Sequence, residues 1–213
     1  MWKSLFDPDG AFARGTELLL QMVLVNVLFL LCSLPVVSVG ISATAASAVL
    51  LRIQRGEDRH VVRQFFAAFR ENWKCAGITW LVVLLTLGIC LADLYIALAL
   101  DSFLWKVVAM AGLNVVGLVC AFLFPLQARY ENTCRNHLRN AVVLGIAHLP
   151  RLLLVWLTWT VPVLLTFWTV QTFYSLLIIW LLLGFSSLQY VTLRILRPVF
   201  RSLEEPEDKE NKE

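Results

Sequence analysis

Charge is scarce in this chain. Of its 213 residues only 15% are Asp, Glu, Lys or Arg, against about 25% in a soluble globular domain. The hydrophobic share is 59%, with 13 Phe and 8 Trp, and the mean hydropathy is +0.75. One soluble core of this length could not enclose so much apolar surface, so a soluble enzyme and a disordered chain are both excluded. Cysteine is thin as well. Cys32, Cys75, Cys90, Cys120 and Cys134 are odd in number and contain no C-x-x-C, which excludes a disulfide-stapled secreted module. They read as small buried hydrophobes, with Cys75 and Cys134 kept as thiols by a reducing cytosol. His60, His137 and His148 are the three histidines, and none stands at i, i+4 with a second ligand. There is no P-loop, dinucleotide-binding glycine pattern, G-x-S-x-G or carboxylate pair. The expectation is a protein with no catalytic residue, metal or cofactor, and not an enzyme.

What is there is a set of long runs without charge. Leu18 to Leu51, Ala76 to Ala92, Val107 to Ala128 and Leu152 to Leu193 contain no Asp, Glu, Lys or Arg. A spanning helix needs roughly 20 apolar residues, so the last run holds two helices, with a turn near Thr169–Thr172. The reading is an all-α polytopic membrane protein with five spans, at about 18–38, 76–98, 106–127, 151–169 and 173–193. Residues 1–203 form one membrane domain, with inner loops 52–75 and 128–150 and a charged, disordered tail at 204–213. Pro35 and Gly40 break the first run, Pro35 as a kink and Gly40 as a helix cap. The segment 41–54, rich in small residues, is then an extra helical piece: re-entrant, on the surface, or a sixth span. At the N-terminus, Asp7, Pro8, Asp9 and Gly10 stand where a signal peptide needs an apolar stretch. Trp2, Leu5, Phe6 and Phe12 suit a short interfacial segment.

Lys and Arg accumulate in cytoplasmic loops. Five spans put all but Lys3, Arg14 and Lys106 of the 18 basic residues on one side. The expectation is an inner C-terminus and an outer N-terminus. Trp105, Tyr95, Trp168 and Tyr174 fall at outer span ends, and Trp73, Trp80, Tyr130, Trp156 and Tyr190 at inner ends, as interfacial aromatics do.

Three groups of residues carry organised polarity. In 58–75, Val61, Val62, Phe65, Phe66, Phe69 and Trp73 make one helical face while Arg59, Arg63, Arg70 and Lys74 line others. That pattern belongs to a helix on the membrane surface, and Arg63, Phe66, Arg70 and Trp73 are its candidate partner residues. In 127–140, read as a continuation of the third span, Asn132, Asn136 and Asn140 form one stripe and Arg135 and Arg139 another, with Arg129 preceding them. Asn is a poor helix former, so the stripe calls for hydrogen bonds to a neighbouring helix or to 41–54, or else for a ligand or partner. At membrane depth stand Asn26, Asp93, Asn114 and Gln189, with Gln21. Asp93 is ionisable and so a functional candidate by default, though Lys106 could neutralise it in an outer ion pair.

The stretches NVLFLLCSLPVVSVGISATAASAVLLRIQRGED (26–58), FRENWK (69–74) and QARYENTCRNHLRNAVVLGIAHLP (127–150), in that order, resemble the YesL family of small bacterial membrane proteins. The resemblance covers essentially the whole chain. It implies a bacterial plasma membrane and, because such proteins are often encoded beside carbohydrate uptake systems, a link to sugar import. It carries over no functional residue, since the family has no established one.

Two readings follow. The first is a non-enzymatic accessory or scaffold protein that acts through its basic cytoplasmic face, with the bilayer, transporter or signalling subunits, or a second copy as partners, and with no nucleic acid. The second is a small transporter or channel, in which Asn26, Asp93, Asn114 and Gln189 should converge on one cavity. A membrane enzyme comes third and needs Glu131, Cys134 and His137 gathered around a metal.

Overall fold

A computed structural model describes the backbone of residues 11–57 and 60–210, and the side chains of 12–57 and 60–202. Trp2, Leu5 and Phe6 of the expected interfacial segment, Arg59, and residues 211–213 lie outside the described residues. The chain is all-helical over this range: α1 (Ala11–Cys32), a 3-10 turn (Val36–Ser38), α2 (Val39–Arg55), α3 (Val61–Ala99), α4 (Phe103–Arg129), α5 (Cys134–Ala147), α6 (Leu149–Thr166), α7 (Val170–Ile179), a π turn (Trp180–Gly184) and α8 (Phe185–Glu210). Among the described residues six helices are long and apolar enough to cross a bilayer, with Val36–Arg55 as the one not counted among the five expected.

That extra helix is the centre of the molecule. Pro35, extended at φ −74°, ends α1, and Ser38 Oγ donates to the Cys32 and Pro35 carbonyls that the break leaves open. Gly40 is not the cap that the sequence suggests. It sits inside α2, where an added Cβ would meet the Cβ and Cγ of Trp80, so glycine is what lets α3 approach. The actual cap is Gly56, left-handed at φ 73°. There Gly56 N–H and Glu57 N–H close on the Ile53 and Arg52 carbonyls, the usual way a helix ends in glycine. Residues 42–51 are all buried. Their small side chains allow α1, α3, α4 and α8 to pack on every side, as small residues do between membrane helices. Val25, Phe29, Leu50, Phe65 and Leu193 complete this core. A second core joins α4, α5, α6 and α8 through Phe122, Leu126, Ala141, Val155 and Phe200.

α3 has 39 residues and, at about 1.5 Å per residue, is about 58 Å long, roughly twice a hydrocarbon core. The basic amphipathic stretch is its first half, continuous with the span and not a separate surface helix. Its inner face, Val61, Phe65 and Ala68, is buried against α2. α4 does not run on through 127–140. It stops at Arg129, residues 130–133 are irregular, and α5 starts afresh at Cys134. The chain reverses between α6 and α7 at Thr169, whose hydroxyl and that of Thr172 cap each other's backbone. α8 runs to Glu210, through most of the segment read as a disordered tail.

Candidate functional site

The four polar residues at membrane depth do not share one location. Asn26 is fully buried on α1 and is bound to the π turn: Nδ2 donates to the carbonyls of Trp180 (3.2 Å) and Leu181 (2.8 Å), and Oδ1 accepts from Ser186 N–H at 3.0 Å. A π turn displaces backbone groups from the regular ladder, and Asn26 satisfies the ones left over. Asp93 is exposed near the far end of α3. Lys106 does not reach it and pairs instead with Asp101 in the α3–α4 turn.

Asn114 and Gln189 do share a site, a partly open cavity of about 490 Å³ lined by α1, α2, α3, α4, α6 and α8. Its wall is mainly carbon, with Phe29, Trp80, Phe124, Trp156, Trp159 and Phe185 prominent. Several of the polar groups reaching it are already engaged. Asn114 Oδ1 accepts from Trp156 Nε1 and its Nδ2 donates to Met110 carbonyl, both at 2.8 Å. Gln189 Nε2 donates to Ser47 Oγ at 2.8 Å, and Trp159 Nε1 to Thr192 Oγ1 at 3.0 Å. Such a cavity suits an apolar guest better than an ion. Gln127, not among the residues marked in the sequence, joins three helices: its Oε1 accepts from Thr44 of α2 and its Nε2 donates to Thr79 of α3. The signal available was a Gln at the end of a charge-free run; a Thr in a membrane helix carries none, because it can bond to its own helix.

The basic side brings two of the marked segments together. Cys75 of α3 and Cys134 of α5 are paired, with Cα atoms 5.2 Å apart, which corrects the expectation of two separate thiols. The contact arises because the break at 130–133 lets α5 fold back beside α3. Val62, Phe66 and Trp73 are exposed on α3 beside Arg63, Arg70 and Lys74. Arg135, Arg139, Asn136 and Asn140 are exposed on α5. The asparagine stripe therefore bonds to no neighbouring helix: Asn132 Oδ1 accepts from Thr133 N–H and from Asn136 Nδ2, a local turn that starts α5. Arg129 lies apart from these, over the rings of Phe200 (5.1 Å) and Tyr130 (5.9 Å). On the inner side of α5, His137 is buried, and burial pushes its imidazole below the ordinary value. Among the described residues no group of three His, Cys, Asp or Glu side chains could hold a metal ion.

The arrangement offers a basic, aromatic surface over α3 and α5 and a separate apolar cavity within the bundle. No curated protein and no solved structure matches the chain. Over residues 22–94, from α1 through most of α3, the chain matches the family described as a protein of unknown function, DUF624.

Proposed function

We propose that this polytopic membrane protein is a non-enzymatic accessory or scaffold subunit of a bacterial plasma membrane, working through the basic surface where the first half of α3 meets α5. The observation that carries this reading is the Cys75–Cys134 contact, which unites the two organised polar segments of the sequence on one side of the bundle. Exposed Phe66 and Trp73 among arginines are the residue types that anchor protein interfaces. Six crossings would bring both termini to this side, in place of an outer N-terminus, and leave Lys106 alone among 18 basic residues on the other. That is a sharper asymmetry of the kind that marks the cytoplasm. The resemblance stated for the sequence makes a carbohydrate uptake system the partner to look for.

The test is cross-linking in native membranes, followed by purification of the tagged full chain and identification of stoichiometric partners. Phe66→Ala with Trp73→Ala should abolish capture while leaving insertion intact. A chain recovered alone, or a partner retained by that variant, refutes the reading.

A second reading, a small transporter or channel, is met only in part: of its four polar residues Asn114 and Gln189 line the cavity, and Asn26 and Asp93 do not. It requires solvent in that cavity, so a cysteine introduced at Thr160 should react with a membrane-impermeant thiol reagent. Lack of reaction sinks it.

A further inference from the structure

Four arginines from three helices converge at one end of the bundle. Arg55 is the last residue of α2, Arg129 the last of α4, and Arg197 and Arg201 lie one turn apart on α8. Together with Gln54 and Leu193 they line a cavity of about 120 Å³, and among the described residues lining it there is no carboxylate. Arg55 has a loose contact with Glu57, 3.6 Å away and half exposed. Like charges at i, i+4 on a helix repel, so Arg197 and Arg201 already oppose each other before the other two guanidiniums are added. At the end of α2, the Gly56 and Glu57 amides already take up the Ile53 and Arg52 carbonyls. The site is also held in place. Gln54 Nε2 donates to Tyr190 carbonyl at 2.8 Å, Arg129 lies over Phe200 and Tyr130, and Leu193 is fully buried beneath.

We propose that these four arginines form a binding site for a phosphate group. A guanidinium presents a planar fork of N–H donors that matches phosphate oxygens two at a time. The cavity is large enough for a phosphate and too small for a lipid, so a lipid would place only its headgroup there. The position suits a lipid source: the site stands where three helices leave their apolar stretches, and basic pockets between membrane helices bind anionic headgroups on the cytoplasmic side. A free phosphate compound offers the same chemistry, and experiment separates the two.

The full chain, purified in a neutral detergent, is titrated with phosphatidylglycerol and, separately, with inorganic phosphate. Binding is read by native mass spectrometry and by the shift in melting temperature. Arg197→Gln with Arg201→Gln should weaken binding at least about tenfold, the loss of one charge-assisted hydrogen bond or more. Arg135→Gln with Arg139→Gln removes equal charge elsewhere and should change it less than about twofold. Saturable binding of phosphatidylglycerol alone assigns the site to a lipid headgroup. Binding of inorganic phosphate at comparable strength assigns it to a free anion. Equal losses in the two variants, or no saturable binding of either probe, overturns the proposal. So does binding that arises only after removal of residues 204–213, because the chain's own Glu204, Glu205, Glu207, Asp208 and Glu210 would then be the occupants. Arg201→Lys, which keeps the charge and loses the fork, guards against misfolding of the double variant: it should bind with intermediate strength, and unchanged affinity would also refute the site.

Discussion

Replacing Asn26 by Leu is the sharpest test of the packing described here. The two side chains share one branched heavy-atom skeleton, so the change leaves no void and removes the hydrogen bonds. Asn26 makes three of them, to Trp180, Leu181 and Ser186, with no exposure to solvent. Hydrogen bonds between membrane helices average about 0.6 kcal/mol each, which sets a floor of about 2 kcal/mol. The backbone groups of the π turn would also lose their partner, and an unsatisfied buried group costs about 1–3 kcal/mol. The expected destabilisation is thus about 2–4 kcal/mol. It is measured by reversible unfolding in mixed micelles, followed by circular dichroism. Asn114→Leu is the control, since Asn114 is exposed and one of its two bonds is to its own helix; it should cost less than about 1 kcal/mol. An Asn26→Leu protein within about 0.5 kcal/mol of wild type, or no worse than Asn114→Leu, would refute the assignment of Asn26 as the clamp on the π turn.

Gly40→Ala should destabilise by about 1–3 kcal/mol through overpacking, and adding Trp80→Phe should not rescue it, because phenylalanine keeps the Cβ and Cγ that clash. Gly117→Ala, facing open space, is the neutral comparison; equal melting temperatures for the two alanine variants would contradict the close approach of α2 and α3. Because Cys75 and Cys134 are paired, the full chain isolated without reductant should show the mobility of an internally bonded protein on a non-reducing gel. The mobility shift on a non-reducing gel should vanish in Cys75→Ser; its persistence would point to another pair. Burial lowers the folded-state value of His137 below 6.5, so the folded state binds its proton more weakly than the unfolded state. Its contribution is complete above about pH 6.5 and is lost as pH falls through the lowered value. His137→Gln should therefore flatten the drop in melting temperature between pH 7.5 and 5, and an unaltered drop would place the titration elsewhere.

Hydropathy made the membrane class readable, because each charge-free run is long enough to be a helix in its own right. α2 was harder to see for a physical reason. A helix wrapped on all sides by protein needs small residues, and Ser42 to Ala48 look like a weak span when judged by affinity for lipid. The restart at Cys134 was hidden because Asn132, Asn136 and Asn140 keep helical spacing straight across the break, although Asn132 lies outside α5 and folds back onto Asn136. The amphipathic pattern of 61–75 marks a face that periodicity cannot divide: Val61, Phe65 and Phe69 pack into the core around α2, whereas Val62, Phe66 and Trp73 stay exposed. The arginine cavity draws on residues from Arg55 to Arg201. Only the spacing of Arg197 and Arg201 was visible locally, and it looks like an ordinary inner helix end.

The enclosure of α2 has a consequence for how the chain is made. Ser47 receives its bond from Gln189, 142 residues further on. At roughly 5–20 residues per second, a ribosome needs roughly 7–28 s to supply that partner. Throughout this interval the central helix is inserted with one flank open, so assembly ends only when the last helix arrives. A chain interrupted before α8 would keep most of its apolar segments and still leave its pillar uncovered, a defect that membrane quality control could detect at the middle of the bundle.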